Sequence, residues 1–185
     1  MGPREDRGNR RKHGVSFAEA QRLFESGVDH LEIFDAAHSE LEDRFLAVGP
    51  IDRGIVVVVY TEPEEGRCRS PDGVEARTGP VPVEREAIRM TKIPELTDEQ
   101  LERAIPARLR RRLMQGRFES GEDIARLRRF VGLTQAEFAR AIAISVHTLR
   151  NWEQGRRKPE GPAIALLRIA ARHPRILREN LESAA

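Results

Sequence analysis

The sequence predicts an α+β chain: a small helix-plus-antiparallel-sheet unit followed by an all-α unit. Three observations carry that expectation. The first is a change of hydrophobic period. The run Ile55-Val-Val-Val-Val-Tyr60 suits a buried strand, whereas apolar residues after Ser120 recur at helical spacing. The second is charge. Residues 1–89 hold 13 Lys/Arg against 18 Asp/Glu, a net of −5, and residues 90–185 hold 19 against 12, a net of +7. A split of that kind suggests two modules, the basic one facing a polyanion. The third is composition: 39% hydrophobic and 34% charged residues, with one Trp and one Tyr, suits small units with solvated faces better than one large core.

The first unit is expected over residues 1–61. Ser16 caps a helix with Glu19 at the capping-box position, and Phe17, Ala20, Leu23 and Phe24 form one apolar stripe. Strand-like runs follow at Leu31–Phe34 and Arg44–Val48. Pro50–Gly54 reads as a turn, and Ile55–Thr61 as a central strand. Residues 62–89 begin with EPEEGRCRSPDGVEARTGPVP, where Pro and Gly recur and no period is visible, so an irregular linker is expected. Residues 90–119 read as a helical connector. Thr97 and Gln100 make a capping box, Leu101 and Ala104 share a face, and Leu109, Leu113 and Phe118 follow in an Arg-rich piece.

The last unit is expected over residues 120–185. Ser120 caps a helix over Glu122–Val131 that Gly132 ends. Thr134 and Glu137 cap a second over Gln135–Ile142. A short turn with Ala143 and Ile144 leads to Ser145, the cap of a third over Val146–Gln154. Gly155 stops it, Arg156-Arg-Lys-Pro159 is a basic loop, and Pro162–Arg172 is a final helix.

Two short helices joined by a three-residue turn are the core of the helix-turn-helix, whose second helix enters the major groove of double-stranded DNA. Val146, His147 and Thr148 stand at the tip of that helix, with Arg150 and Asn151 further along and Ser145 at its cap. His147 can donate or accept at a base edge, Val146 and Thr148 can touch a thymine methyl, and Asn151 can pair with adenine. The Gln135 amide is expected to face a phosphate. Arg156, Arg157 and Lys158 are expected to contact phosphates that position without specifying. Trp152 is expected in the core, and Glu153 is expected to hold the basic loop through backbone hydrogen bonds.

The stretch Gly132-Leu-Thr-Gln-Ala-Glu-Phe-Ala…Ile144-Ser-Val-His-Thr-Leu-Arg-Asn-Trp-Glu-Gln-Gly155-Arg-Arg-Lys-Pro159 resembles the XRE/Cro family, and within it antitoxins of the HigA/MqsA C-terminal type. The resemblance covers about 55 residues, and in that family the position of Gln135 and the start of the third helix contact DNA. Ala143 departs from it, since many relatives carry Gly there. An alanine fits if the turn stays near helical φ/ψ.

Asn9-Arg-Arg-Lys-His-Gly-Val-Ser-Phe-Ala-Glu-Ala20, Ser39–Gly49 and Gly54–Glu62 resemble three blocks of the BrnT toxin family. That resemblance implies a RelE-like fold and metal-independent ribonuclease activity within a type II toxin–antitoxin system. Such chemistry needs cations for the scissile phosphate and a proton donor or acceptor. Arg11, Lys12 and His13 supply both, and Arg44 adds a charge from the sheet. The family's next strand has no counterpart in residues 62–83, and a sheet lacking a strand leaves unpaired backbone groups. Family-like sequence returns at Val83–Arg89, and Met90-Thr-Lys-Ile-Pro-Glu-Leu resembles the start of a separate antitoxin. Fusion of adjacent toxin and antitoxin frames, with a degenerate toxin-like module, is therefore expected.

Taken together, these readings predict a sequence-specific regulator of a toxin–antitoxin operon, binding its operator as a homodimer through Met90–Phe118 or Pro174–Leu181. A cognate toxin or antitoxin is a second expected partner. Two alternatives stand beside this: an active toxin–antitoxin fusion, or a regulator with an effector-sensing first unit. No cofactor or metal is expected, since Cys68 is the single cysteine. A cytoplasmic protein without membrane contact is expected, because no membrane-length apolar run or signal-like leader is visible.

Overall fold

The computed structural model describes residues 16–25, 27–52, 54–62 and 96–183. Arg11, Lys12 and His13, the irregular 63–83 segment, Val83–Arg89 and the Met90 start lie outside the described residues. The fold class is the expected one. Helix α1 (Phe17–Glu25) precedes strands β1 (Leu31–Phe34), β2 (Arg44–Ile51) and β3 (Gly54–Thr61). After Leu96 come α2 (Asp98–Glu102), β4 (Ile105–Pro106), α3 (Ala107–Met114), α4 (Gly121–Val131), α5 (Gln135–Ala141), α6 (Val146–Glu153), α7 (Pro162–Arg172) and α8 (Pro174–Ser183).

The four strands are antiparallel in the order β3-β2-β1-β4. β3 therefore lies at one end of the order and not at its centre. From Val56 onward its apolar run reflects cover on both faces, while Ile55 stays exposed. Val56, Val58 and Tyr60 enter the main core, while Val59 joins Ile33 and Leu46 on the other side, with Val57 packed against them. A continuous apolar run reports covered faces, not strands on both flanks.

β4 was not foreseen in the sequence. Glu32 pairs with Ile105 and Leu31 with Pro106, so the segment read as a connector supplies the fourth strand. One core follows. Ala20 and Leu23 of α1, the sheet face carrying Phe34, Phe45 and Tyr60, and the inward faces of α3–α8 form a single cluster. Phe45 of β2 and Phe130 of α4 stack nearly parallel, with ring centroids 6.2 Å apart.

Arg110 of α3 sits inside this junction, 1% exposed. Its guanidinium lies 3.9 Å from the Phe45 ring centroid. Nη1 pairs with Glu32 Oε2 at 3.2 Å and Glu62 Oε1 at 2.8 Å, Nη2 donates to Glu62 Oε2 at 2.9 Å, and Nε donates to the Ala171 carbonyl at 3.0 Å. Burial alone would raise the Glu32 carboxyl's pKa. A hydrogen bond from His30, the Arg110 charge and Tyr60 outweigh it and hold the group down at about 2. Burial and the Glu32 charge push the Tyr60 phenol well above its ordinary range.

α3 to α6 end alike. In each, the first or second residue past the helix has positive φ, and paired 5→2 and 6→1 hydrogen bonds close the last turn. Gly116, Gly132 and Gly155 fill three of these positions, and Ala143, at φ +55°, fills the fourth. The condition set for an alanine there, a turn near helical φ/ψ, is not met. Ala143 N–H donates to Arg140 O at 3.1 Å and Ile144 N–H to Ala139 O at 2.9 Å, and that closure requires the left-handed turn. An L-side chain there costs about 1–2 kcal/mol. Ala143→Gly is expected to stabilise the chain by about 1 kcal/mol, after its larger unfolded-state entropy is deducted. A thermal melt should rise by about 2–4 °C. An unchanged or lower midpoint would show that Ala143 carries no strain.

Candidate nucleic-acid interface

α5 and α6 are set by local sequence. Thr134 Oγ1 accepts from Glu137 N–H at 3.3 Å, and the Glu137 carboxylate accepts from Thr134 N–H at 2.8 Å. The Thr134 N–H and hydroxyl, both donating to the Glu137 carboxylate, hold it below its ordinary range. Ser145 Oγ accepts from Thr148 N–H at 3.0 Å and lies 2.9 Å from Thr148 Oγ1, so both hydroxyls belong to the cap. Leu149 and Trp152 bury the inner side of α6, as expected for Trp152. A Cβ at Gly121 would stand 2.2 Å from Glu153 O and 2.5 Å from Trp152 O. Only glycine lets the start of α4 meet the end of α6 so closely.

The outer side of α6 carries the expected recognition residues. His147 and Arg150 are exposed, and Val146, Thr148 and Asn151 are half-buried. Arg156, Arg157 and Lys158 are exposed on the loop beyond. That loop is held by the Asn151 carbonyl, which accepts from Arg156 N–H at 2.9 Å and Arg157 N–H at 3.2 Å.

Glu153 acts through its side chain, contrary to expectation. Oε1 lies 2.7 Å from Arg128 Nε, with the two side chains 9% and 16% exposed, and Oε2 accepts from Gln135 Nε2 at 2.7 Å. One of the two N–H donors of the Gln135 amide is engaged there. The amide Oε1 accepts from Arg150 Nε at 3.2 Å. Four residues from three helices thus form one chain, Arg128–Glu153–Gln135–Arg150. Arg128 and Glu153 lie 25 residues apart and Gln135 and Glu153 lie 18 apart, so no local pattern announces them.

Of the cations expected at a catalytic site, Arg44 is described. Its Nε lies 3.1 Å from Asp35 Oδ2. The same buried carboxylate takes His38, whose Nδ1 is 3.0 Å from both oxygens and whose side chain is 63% exposed. Ser39 Oγ donates to Asp35 O at 2.8 Å and accepts from Arg44 N–H at 2.9 Å, fixing the loop. The sequence reading missed His38. The Asp35-x-x-His38 spacing across a strand end was its available signal.

Among the described residues, no helix is long and apolar enough to cross a membrane. Residues 3–70 match the family model described as ribonuclease toxin, BrnT, of type II toxin–antitoxin systems. Residues 91–180 match that of the antitoxin component of a bacterial toxin–antitoxin system, MqsA. The chain is 41% identical over 58 residues to Antitoxin HigA-2 of Vibrio cholerae serotype O1, covering 31% of this chain and 56% of that protein. It therefore spans about half of HigA-2's length. It is 32% identical over 66 residues to the uncharacterized HTH-type transcriptional regulator YiaG of Escherichia coli K12, covering 36% of this chain and 69% of that protein.

Proposed function

The chain belongs to the helix-turn-helix transcriptional regulators of the YiaG kind, with segments similar to BrnT toxins and MqsA antitoxins, and on that premise we propose that it binds double-stranded DNA sequence-specifically and represses its own toxin–antitoxin operon in the cytoplasm. One observation carries the reading. The capped α6 presents His147 and Asn151 outward, while Glu153, the carboxylate on that helix, is neutralised by Arg128. The interface therefore keeps the charge of Arg150, Arg156, Arg157 and Lys158 for a polyanion, and base edges fall to His147 and Asn151. The chain binds as a homodimer through exposed Leu166 and Ile169 of α7 and Ile176 of α8, setting two recognition helices about 34 Å apart.

The test is binding to the protein's own promoter region and to random duplex at two salt concentrations, for wild type and His147→Ala/Asn151→Ala. The variant is expected to lose roughly 100-fold or more on the promoter and nothing on random DNA. Equal wild-type affinity for promoter and random DNA would remove sequence-specific regulation from consideration.

A second reading rests on Asp35. Its carboxylate holds His38 by Nδ1, which turns Nε2 to solvent as a base, and keeps Arg44 alongside. The BrnT-type segment would then cleave RNA. Wild type should degrade RNA and His38→Ala should not, with equal melting temperatures. A wild type that leaves RNA intact dismisses this reading.

A further inference from the structure

We propose that Arg150 is a ligand of the DNA backbone and not a reader of bases, and that Gln135, held in turn by Glu153, is the residue that aims it. The inference rests on the DNA-binding reading above and assigns distinct roles within that surface.

Hydrogen-bond polarity fixes the arrangement. A carboxylate only accepts and a guanidinium only donates. With Glu153 on one side and Arg150 on the other, the Gln135 amide has one satisfactory orientation, Nε2 to Glu153 and Oε1 to Arg150. The orientation is anchored from below, because the Arg128–Glu153 pair is largely buried. Gln135 is thus a one-way link between a fixed internal carboxylate and an exposed cation.

Charge separates Arg150 from the paired arginines of the preceding helices. Arg126 and Arg129 are paired with Glu122, Arg128 with Glu153, Arg112 with Asp123 and Arg103 with Glu99. Among the described residues, Arg150's hydrogen-bond partner is a neutral amide oxygen. Its positive charge is held in place without being cancelled, and both Nη groups remain for an anion with two acceptor oxygens.

Direction excludes the base edges. In the helix-turn-helix docking geometry the first helix of the pair crosses the sugar-phosphate backbone, and the tip of the second enters the groove. Gln135 is the first residue of α5, the crossing helix. The Nε contact therefore draws the Arg150 guanidinium toward the phosphate track, away from the groove-facing Val146, His147 and Asn151.

Salt dependence distinguishes the roles, because each phosphate neutralised adds about 0.9 to the slope of log affinity against log salt. Wild type, Arg150→Ala, Arg150→Lys, Gln135→Ala and Gln135→Ala/Arg150→Ala are titrated with promoter and random duplex across a salt series. Arg150→Ala should weaken both duplexes equally, by roughly tenfold, and lower the slope by about one. Arg150→Lys keeps a cation but lacks Nε, and should keep the wild-type slope. Gln135→Ala should lose several-fold in the wild-type background and nothing further on Arg150→Ala, which a merely structural role for Gln135 would not produce. A changed base preference in Arg150→Ala with an unchanged slope overturns the assignment and makes Arg150 a base reader. Additive losses overturn the positioning role of Gln135. Failure of wild type to bind any duplex overturns both this assignment and the reading beneath it.

Discussion

Arg110→Ala is expected to destabilise the chain by about 3–5 kcal/mol. The magnitude follows from what the truncation leaves behind. Arg110 is buried between Glu32 and Glu62, and Glu32 is itself buried. Removing the guanidinium strands a carboxylate in an apolar junction and leaves the Ala171 carbonyl without its side-chain donor. It also empties the face of Phe45, where the cation sits 3.9 Å from the ring centroid. Charge and packing can be told apart. Arg110→Met refills the space but keeps the orphaned carboxylate, so it should still be costly. Arg110→Met with Glu32→Gln removes the burial penalty on both sides and should recover much of the loss. Urea denaturation measures all three. An Arg110→Ala midpoint equivalent to less than about 1 kcal/mol of change would mean that the junction is held by its aromatic packing.

Acid is expected to open the same junction. Glu32's ordinary pKa of 4.5 is depressed to about 2 in the folded chain. A depressed carboxyl binds protons more readily when unfolded, so folding gains stability as pH rises. The contribution is complete above about pH 4.5 and is lost as pH falls toward 2. At roughly 1.4 kcal/mol per unit it amounts to about 3 kcal/mol. Denaturation midpoints measured from pH 6 down to pH 2.5 should fall through this window, and Glu32→Gln should flatten that part of the curve. If Glu32→Gln follows the wild-type profile, other carboxyls set the acid limit.

How much of this was legible depended on distance along the chain. The caps at Ser16, Thr97, Thr134 and Ser145 are three-residue patterns. They placed the starts of α1, α2, α5 and α6, because each closes hydrogen bonds within its own turn. Pro162–Arg172 was readable for the same local reason. β4 was not, because Ile105-Pro106 is two residues with no alternation and exists only by pairing with β1, over seventy residues earlier. Arg110 was hidden among Arg108, Arg111 and Arg112. The amphipathic period places one arginine inward, but nothing in that run shows two carboxylates waiting across the sheet. The conformation of Ala143 was not legible from its residue type, because the backbone closure between α5 and Ile144 imposes its left-handed turn. At the interface, the residues to be exposed could be named, but the partners of Gln135 could not, since Glu153 and Arg150 reach it from another helix.

The shared core has a consequence for dosage. Two partners on separate chains meet by mass action, so their ratio can rise or fall and dilution parts them. Here the BrnT-type and MqsA-type segments are covalently joined and packed as one body around Phe45, Phe130 and Arg110. Their stoichiometry is one to one in every molecule, and their local concentration is independent of how much protein the cell holds. Selective loss of one segment, leaving the other intact and free, would require cutting the chain and then breaking a buried ion pair. Under the proposed DNA-binding function, occupancy of an operator follows the total number of chains and the ionic strength, and carries no record of an imbalance between the two halves.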